Sequence, residues 1–453
     1  MRDHSRSIVR IVVISIAVVV AASTWRAADA IAAGELQLPS PPIPGLEPPG
    51  LPAFRLTTVD AGSFHTCGVA SDARAWCWGL NDRGQLGDAT VGGFRNSPVL
   101  VGSVFDTYRA VSAGGSGFAV QDGQPGVLFE SHTCGLTLGD SIECWGANTY
   151  GQLGNGTFDA AAVPFPVLAP GLRFRSVSAG GRHTCAISED FEVYCWGLNS
   201  GGQLGNAAAG PRSNVPVLVG GGAAQGTVFD MVSAGESHTC GIVGAVTYCW
   251  GHNERGQLGN ETTVPSVVPV GVSLLPPRAF AWQVSAGFEF ACGIVASIGQ
   301  AYCWGRDDFL QLGYGPEEFC GATLCSTVGR PVVGDFAFRQ VSAGGVHACG
   351  LTQDNRVICW GDNRRGQVGI GFKPETTIVP AEPALLVGET ALPGRFGRTL
   401  RVEWRGRQVS AGGLHTCAIA QNGAPYCWGD NLFGQVGAGT TTPTHDRPVA
   451  IEP

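Results

Sequence analysis

Hydrophobic and polar residues alternate in short segments along most of this chain, and stretches with helical spacing are hard to find. One unit reads HTCGVA (65–70), SDARA (71–75) and WCWG (76–79), which is typical of a strand, a short turn and a second strand. A further apolar stretch, such as SPVLVG from position 97 or GRPVVG from position 329, supplies another strand. The pattern therefore predicts hairpins, with about four strands in each unit.

This unit is repeated seven times. The phrase V-[SD]-A-G begins at Val59, Val111, Val177, Val232, Val284, Val341 and Val409. Each copy continues to a Cys and then to a phrase of the form C-W-G-x-N-x-x-G-Q-L-G, which begins at Cys77, Cys144, Cys195, Cys249, Cys303, Cys359 and Cys427. Gly permits positive φ and Asn can bond the local backbone, so this phrase ends the hairpin and redirects the chain.

A repeat of this length with four strands is typical of a propeller blade, because a single four-stranded sheet buries neither face until others stack against it. The sequence thus predicts an all-β, seven-bladed β-propeller of four-stranded antiparallel blades. The repeats begin at FRLTTVDAG from Phe54 and end at RPVAIEP from Arg447, and these fragments together would make one unit. We therefore expect the C-terminal strand to pair with the N-terminal blade and close the ring.

The repeated phrases A-G-x-x-H-T-C and C-W-G-x-N-x-x-G-Q-L-G resemble the regulator-of-chromosome-condensation repeat, and the resemblance covers residues 54 to 453. It implies the same propeller fold. It does not settle function, since the family includes a nuclear exchange factor for a small GTPase, secreted inhibitors such as beta-lactamase inhibitor protein II, and bacterial surface modules. A Cys pair in every blade is not required by the fold, so the chain is most similar to a secreted, bacterial type of member.

The sixteen Cys form eight close pairs with none left over. The hairpin near Asp72 places Cys67 opposite Cys77, within the range of a disulfide, and a shorter turn near Gly244 does the same for Cys240 and Cys249. The predicted pairs are Cys67 with Cys77, Cys134 with Cys144, Cys185 with Cys195, Cys240 with Cys249, Cys292 with Cys303, Cys320 with Cys325, Cys349 with Cys359 and Cys417 with Cys427. The alternative is zinc, because H-x-C followed by a second Cys offers three ligands in a blade.

The N-terminus indicates export. Arg2, Arg6 and Arg10 precede an apolar run from Ile11 to Ala22, and Ala28-Asp29-Ala30 offers a cleavage site, so residues 1–30 are predicted to be a signal peptide. An uncleaved anchor is the alternative. Residues 31–53 are predicted to be a Pro-rich linker, because this composition favours extended polyproline conformations. Residues 54–453 form the predicted propeller, and the mature chain should contain no membrane span.

Charge and composition narrow the class of partner. The first thirty residues hold four Arg and two Asp, so without them the formal charge of −8 becomes −10, which disfavours nucleic acid. The 68 Gly residues fit tight turns and short strands. One Lys against 27 Arg suggests a GC-rich, hence bacterial, source.

Three sets of repeated residues have a structural and a functional interpretation. His recurs two residues before the first Cys in six units, at His65, His132, His183, His238, His347 and His415, and could either line the channel as a metal or anion site or pack between blades. We favour packing, because a functional site normally combines unlike residues. The Trp of each C-W-G, from Trp78 to Trp428, should pack in the core or between blades. Gln85 and its counterparts should bond backbone between blades.

Irregular units are the better candidates for a binding site, since loops carry function. Unit two has an insertion between Gly114 and His132, and unit six is extended from Phe372 to Arg405. Unit five replaces His by Phe290, Asn by Asp307 and the turn Gly by Leu310. Its partner-binding candidates are Phe309, Leu310, Tyr314, Glu317, Glu318 and Phe319. Such a mixture of aromatic, apolar and acidic residues suits a protein-binding hot spot, and drift of one repeat is the alternative.

No nucleophile elbow, zinc-protease, phosphate-loop or calcium-loop motif occurs, so the sequence predicts no catalytic residue, no cofactor and no metal. We expect a secreted, periplasmic or surface-displayed propeller that is not an enzyme, is a monomer, and binds a protein or glycan through loops on one rim. One alternative is an exported hydrolase or lyase with carboxylates at the channel mouth. A second is the exchange-factor activity of the family's nuclear member.

Overall fold

The structure is a computed structural model and describes residues 54–116, 130–220, 228–274, 281–315, 318–373, 376–381 and 405–453. Within these ranges the regular elements are β-strands, arranged as seven antiparallel sheets. The predicted all-β, seven-bladed propeller is confirmed. The predicted signal peptide, the whole Pro-rich linker and most of the unit-two and unit-six insertions lie outside the described residues.

The strands of the first four blades follow one another in chain order. Blade one has β1 (Leu56–Ala61), β2 (His65–Ala70), β3 (Ala75–Leu80) and β4 (Phe94–Leu100); blade two has β5 (Tyr108–Ala113), β6 (His132–Thr137), β7 (Ile142–Gly146) and β8 (Ala161–Pro166). Blade three has β9 (Phe174–Ala179), β10 (His183–Ser188), β11 (Val193–Leu198) and β12 (Arg212–Leu218); blade four has β13 (Met231–Ala234), β14 (His238–Val243), β15 (Val246–Gly251) and β16 (Ser266–Gly271).

The remaining blades include one exception to the four-stranded plan. Blade five has β17 (Ala281–Ala286), β18 (Phe290–Val295), β19 (Gln300–Arg306), β20 (Glu318–Cys320) and β21 (Thr323–Pro331), in the order β17-β18-β19-β21-β20. Blade six has β22 (Phe338–Ala343), β23 (His347–Thr352), β24 (Val357–Asp362) and β25 (Thr376–Ala381); blade seven has β26 (Gly406–Ala411), β27 (His415–Ala420), β28 (Pro425–Asp430) and β29 (Thr444–Ala450). Blade five therefore has a fifth strand at its outer edge.

The first strand of each blade is the innermost. The seven first strands contact one another in a closed ring, β1 against β5 and so on round to β26 against β1, and they surround a central channel. At one end of the ring each first strand turns at its Ala-Gly; we call this end the glycine face. The second and third strands turn at the opposite end, the hairpin face. The second strand lies between neighbouring blades, so all six residues of HTCGVA are buried.

The predicted closure of the ring by strand exchange is wrong. The C-terminal strand β29 pairs with β28 of its own blade, with Tyr426 opposite Ala450, and β1 pairs with β2. Each blade is complete, because the V-[SD]-A-G strand begins a sheet and the strand after the Q-[LV]-G turn finishes it. Blade seven instead docks on blade one through contacts such as the hydrogen bond from Gly413 N to Gly62 O, 3.0 Å.

All eight predicted disulfides are present and no Cys is free, so no thiolate remains for the zinc alternative. Seven of them join directly opposed residues of the second and third strands, with Cα atoms 4.0–4.1 Å apart. The eighth, between Cys320 and Cys325, has Cα atoms 5.8 Å apart and closes the hairpin of β20 and β21.

Candidate functional site

The seven interfaces between blades share one hydrogen bond. The indole Nε1 of each C-W-G Trp donates to the main-chain carbonyl of the Gln in the preceding blade's Q-[LV]-G turn, as in Trp145 to Gln85 O at 3.0 Å. The other pairs are Trp196–Gln152, Trp250–Gln203, Trp304–Gln257, Trp360–Gln311, Trp428–Gln367 and Trp78–Gln435. All seven Trp side chains are fully buried, which confirms their predicted packing role.

The predicted contact of Gln85 between blades is made by its main chain. The Gln85 side chain instead accepts a hydrogen bond from Arg83 N within its own turn, at 2.8 Å. The six counterparts do the same, so the Gln side chain shapes the turn and thereby orients the carbonyl toward the next blade.

Five interfaces add a His and a Thr, and we call this arrangement the His–Thr–Gln bridge. In one example Thr184 Oγ1 donates to Gln152 O at 2.8 Å, so its oxygen must accept the contact from His132 Nε2, also 2.8 Å away. The other bridges use His65–Thr133, His183–Thr239, His347–Thr416 and His415–Thr66. The His residues therefore carry their proton on Nε2.

This geometry supports the packing interpretation of the repeated His residues. All six are fully buried. Burial lowers the pKa of each, as for His183, to about 3, so the ring stays neutral. Five of them bond separate Thr residues rather than converging on one point, and the part of the chain that the structure describes holds no group of three metal-ligating side chains.

The glycine before each bridge is required by close approach. A Cβ on Gly180 would lie 2.4 Å from the carbonyl oxygen of Gly235 in the next blade and 2.8 Å from Cε1 of His183. Both contacts are shorter than van der Waals distance, so any side chain here would separate the blades.

Blade five breaks the His–Thr–Gln bridge on both of its sides. Its Thr position holds Ala291, so Nε2 of His238 in blade four has no hydrogen-bond partner. Its His position holds Phe290, and the facing Thr position of blade six holds Ala348. Phe290 and Ala348 lie in one buried apolar cluster, so one substitution matches the other. The interface with blade six is therefore compensated, whereas the interface with blade four leaves a buried imidazole unpaired.

The turn of blade five also departs from the others. In blade two, Asn148 Nδ2 donates to Thr157 O and Asp159 O, while Oδ1 accepts from Leu153 N. Asp307 keeps only the bond from Leu312 N, at 3.0 Å, and its Oδ2 has no partner. Burial raises the pKa of Asp307 to about 7.

Leu310 occupies a position that is Gly in the other six turns. Its φ is 59°, in the left-handed region, where Gly84 of blade one has 78°. A non-Gly residue is disfavoured there. Blade five therefore places a side chain at a turn position that is bare in its neighbours.

The predicted partner-binding residues fall into different environments. Phe319 is 73% exposed, the most exposed of these residues in the described ranges. Phe309 contacts two guanidinium groups, with Arg306 Cζ 5.3 Å and Arg364 Cζ 4.7 Å from its ring centroid. Glu318 pairs with Arg330 at 3.2 Å. Glu317 lies outside the described residues.

Tyr314 is a core residue and adds no surface. It is buried in the cluster shared with blade six, and its hydroxyl donates to Cys303 O at 3.0 Å. Its proximity in sequence to Glu318 and Phe319 suggested a surface anchor, but the chain folds back after the turn and carries Tyr314 inward.

The hairpin of β20 and β21 is held by covalent and polar contacts. The Cys320–Cys325 disulfide spans it, and Arg255 of blade four donates to Thr323 Oγ1 at 2.5 Å. The hairpin therefore presents Phe319 from a fixed base rather than from a free loop.

The two insertions emerge at opposite faces. The described ends of the unit-two insertion, Gly115 and Glu130, lie at the glycine face, because they follow the first strand of blade two and precede its second. The turn of blade five lies at the same face, because it follows a third strand, β19. The unit-six insertion connects β25 with β26, and Arg405 contacts Asp354 O in a turn of the hairpin face. The described ends of the two insertions therefore lie at different faces, and the insertions themselves lie outside the described residues.

The channel holds polar residues that the motif search did not single out. Asp60 replaces the Ser of V-S-A-G in blade one and accepts hydrogen bonds from Ala113 N at 2.9 Å, Ser112 Oγ at 3.1 Å and Ser410 Oγ at 3.0 Å. Burial raises the pKa of this carboxyl. The signal was visible in the aligned repeats as the one Asp among seven copies of the phrase.

Comparison with known proteins agrees with the repeat architecture. Models described as the regulator of chromosome condensation (RCC1) repeat match residues 57–85, 144–187, 174–203, 192–242, 246–294, 338–367 and 407–435, together more than half of the chain. The Ultraviolet-B receptor UVR8 of Arabidopsis thaliana is 29% identical over 71% of this chain and 68% of its own length. The human E3 ubiquitin-protein ligase HERC2 is 28% identical over 84% of this chain, which spans only 7% of the ligase.

Solved structures show the same fold at low identity. Human WBSCR16 superposes with a TM-score of 0.66 at 19% identity, covering 84% of this chain and 94% of that protein. Prp20p of Saccharomyces cerevisiae, described with its binding properties to Gsp1p and histones, gives 0.65 at 18% identity and 88% coverage of both chains. Yeast RCC1 has also been solved bound to Kap60, and that structure gives 0.63 at 18% identity, with 89% and 85% coverage.

Proposed function

This chain belongs to the regulator of chromosome condensation (RCC1) repeat family, and we propose that it is an exported, non-catalytic propeller that binds a protein at blade five of its glycine face. The observation that carries this proposal is Phe319, an exposed aromatic side chain on a disulfide-closed hairpin that has no counterpart in the described residues of the other blades.

Protein binding is supported by what related propellers do. Prp20p is described as binding Gsp1p and histones, and yeast RCC1 as bound to Kap60. The ligase name of HERC2 is not carried over, because the matching region is 7% of that protein. The family relation supports a propeller that presents a surface to another macromolecule.

The composition of the blade-five surface suits a protein partner. Phe319 provides an exposed apolar anchor. Phe309 in the turn of the same blade contacts Arg306 of blade five and Arg364 of blade six. Aromatic residues and Arg are enriched among the residues that dominate protein interfaces. Asp308 and Glu289 bind the Arg306 guanidinium at 2.7 Å each, which fixes its orientation beside the Phe309 ring.

Export is supported by the disulfides. Eight disulfides in one chain are typical of proteins from oxidising compartments. The Arg-flanked apolar run and the Ala-Asp-Ala site in residues 1–30 fit a signal peptide. In the described ranges we find no helix with the length and apolar character needed to span a membrane.

Site-specific photo-crosslinking tests the binding surface. A photoreactive phenylalanine analogue is placed at Phe319, or as a matched control at Phe105, which is 86% exposed in the connection between β4 and β5 on the hairpin face. We expect a discrete cross-linked protein from position 319 in the organism that makes this chain, and none from position 105. Removing the Cys320–Cys325 disulfide should weaken the cross-link, because the hairpin loses its fixed shape.

Two outcomes would contradict the proposal. Equal cross-linking from positions 319 and 105 would indicate nonspecific contact. A discrete product from position 105 alone would place the partner on the hairpin face. Expression of residues 31–453 through an oxidising export route, with alkylation of free thiols before and after reduction, tests export separately, since reactive thiols throughout the chain would contradict it.

A further inference from the structure

The central channel contains a chamber that the proposed protein interface does not use. It has a volume of ≈ 330 Å³ and is lined by the first strands of several blades. Toward the glycine face lies a ring of Ala and Gly residues, around a separate depression of only ≈ 70 Å³. The chamber therefore belongs to the half of the channel nearer the hairpin face, and its volume is at the lower end of small-molecule sites.

One layer of the chamber wall is a ring of hydroxyl groups interrupted by a carboxylate. Six blades contribute a Ser and blade one contributes Asp60, and each accepts a hydrogen bond from the Ala N–H of the following blade. The hydroxyl groups of Ser112 and Ser410 donate hydrogen bonds to Asp60. The hydroxyl protons of Ser178, Ser233, Ser285 and Ser342 have no acceptor among the described residues. Four hydroxyl donors thus line the same chamber as the carboxylate of Asp60.

A second layer is asymmetric. Gln283, Gln340 and Gln408 each bridge to the next blade, accepting from a Val N–H and donating to the same Val carbonyl, as between Gln283 and Val341 at 2.7 and 2.9 Å. The equivalent positions in the first four blades hold Thr58, Ala110, Ser176 and Met231, which make no such bridge.

The missing bridges leave hydrogen-bonding groups unused on one side of the channel. Within the described residues, Val111, Val177, Val232 and Val284 have no side-chain partner for the N–H and C=O groups that Gln bonds elsewhere. Ser176 lines the chamber, and its buried Oγ has no hydrogen-bond partner; Thr58 Oγ1 is also buried and unpaired. Buried polar groups normally have partners, so this side of the wall fits a polar occupant.

An exposed aromatic residue begins the strand at the same end of the channel. Trp282 precedes Gln283 on β17 and is 48% exposed. The same position in the other blades holds Thr57, Arg109, Arg175, Asp230, Arg339 and Arg407. Among these seven equivalent positions, blade five therefore offers the indole.

We propose that this chamber binds one ring of a carbohydrate, entering from the hairpin face. Sugar hydroxyls both donate and accept hydrogen bonds, which matches a wall that offers hydroxyl protons, an Asp carboxylate, and unbridged backbone N–H and C=O groups. The apolar face of a sugar ring can pack on the flat face of an indole. Within the described residues, Trp282 has no aromatic or cationic partner that would occupy this face. An anionic ligand fits less well, because Asp60 and Asp230 line the chamber while Arg109 is paired with Asp140.

Saturation-transfer NMR with the oxidised mature chain tests the proposal. The probes are glucose, galactose, mannose, N-acetylglucosamine and their common β-linked disaccharides. We expect saturable transfer to at least one of them, with affinity reduced about tenfold by Trp282→Ala through loss of ring packing. Asp60→Ser restores the residue found in the other six blades, and Ser176→Ala removes a hydroxyl that has no partner, so both should fold normally and bind more weakly.

The control is Phe105→Ala, which removes an exposed aromatic side chain of the hairpin face outside the channel. Its affinity should equal that of the parent chain. No saturation transfer from any probe would overturn the proposal and indicate a chamber filled by ordered water. Transfer that survives Trp282→Ala and Asp60→Ser unchanged would also overturn it, by placing the sugar elsewhere.

Discussion

The blade interfaces are of two kinds, and the difference between them shows how a repeated sequence can vary without losing its fold. Five interfaces contain the His–Thr–Gln bridge, with a buried neutral His donating to Thr. The two interfaces of blade five lack it, yet both keep the Trp-to-Gln hydrogen bond, through Trp304 and Trp360.

This comparison indicates that the Trp bond is the constant part of the interface and the His–Thr pair the replaceable part. Where Phe290 meets Ala348, apolar contact has replaced the pair on both sides. Where His238 meets Ala291, only one side has changed. Blade five is therefore compensated at its interface with blade six and not at its interface with blade four.

Removal of disulfides should give the largest effect and should separate an ordinary blade from blade five. The double change Cys185→Ala and Cys195→Ala is expected to lower the free energy of unfolding by about 3 kcal/mol, because it frees a loop in the unfolded chain. The Cys320–Cys325 disulfide closes a shorter loop, so the double change Cys320→Ala and Cys325→Ala should lower the free energy of unfolding by about 2 kcal/mol. Denaturant unfolding checks both values, and an equal or larger loss from the second pair would contradict the expected ranking.

Introducing the repeated residue into blade five should destabilise it. Phe290→His places an imidazole against Ala348, where no hydroxyl can accept its proton, and should cost about 1–3 kcal/mol. Adding Ala348→Thr supplies that acceptor and should recover part of the loss. Thermal unfolding of the single and double variants measures the coupling. If Ala348→Thr gave no recovery, the interpretation of this pair as compensated would be wrong.

Replacing a His–Thr pair by the Phe–Ala pair of blade five should change how the free energy of unfolding depends on pH. The native pKa of His183 is about 3 and its ordinary value is 6.5, so the unfolded chain binds a proton that the folded chain does not between these pH values. Stability is therefore complete above pH about 6.5 and falls as the pH drops toward 3. His183→Phe with Thr239→Ala copies the Phe290–Ala348 pair and removes one such proton.

The slope of unfolding free energy against pH should then decrease by about 1.4 kcal/mol per pH unit within this window. Denaturant titrations at several pH values measure it. Ser71→Ala, at an exposed hairpin turn, serves as a control that changes no titrating group. An unchanged slope in the double variant would show that His183 is not a source of the acid sensitivity.

The smallest expected effect is a gain. Ala291→Thr gives His238 Nε2 the acceptor that the other bridges have, and should stabilise the protein by up to about 1 kcal/mol. Differential scanning calorimetry can resolve such a change. Ala291→Val has a similar shape without the hydroxyl and should give no gain; a similar gain from Val would assign the effect to packing.

Much of this architecture could be predicted from the sequence because it depends on the spacing of residues within one repeat. The Cys pairs followed from hairpins of about ten residues, and the buried Trp from its recurrence in every unit. The pairing of Phe290 with Ala348 joins residues of different repeats, and only an alignment of equivalent positions would have suggested it.

Two errors had identifiable physical causes. Tyr314 was interpreted as a surface residue from its neighbours in sequence, although the same position holds Ile370 and Ala438 in the last two blades, both packed against core clusters. Closure of the ring by strand exchange was predicted because the first and last repeats resembled two fragments of one unit. Periodicity alone does not show where a blade begins and ends. Periodicity gives the length of the unit but not the residue at which it starts.

The completeness of each blade has a consequence for the order of the chain. Phe54 and Ile451 lie in one cluster of buried residues, so the beginning and end of the propeller are already neighbours. In the described residues, each strand of the last and first blades pairs within its own sheet. A circularly permuted gene, opened at another blade connection and joined from the end of blade seven to the start of blade one, would encode the same seven sheets with every interface retained.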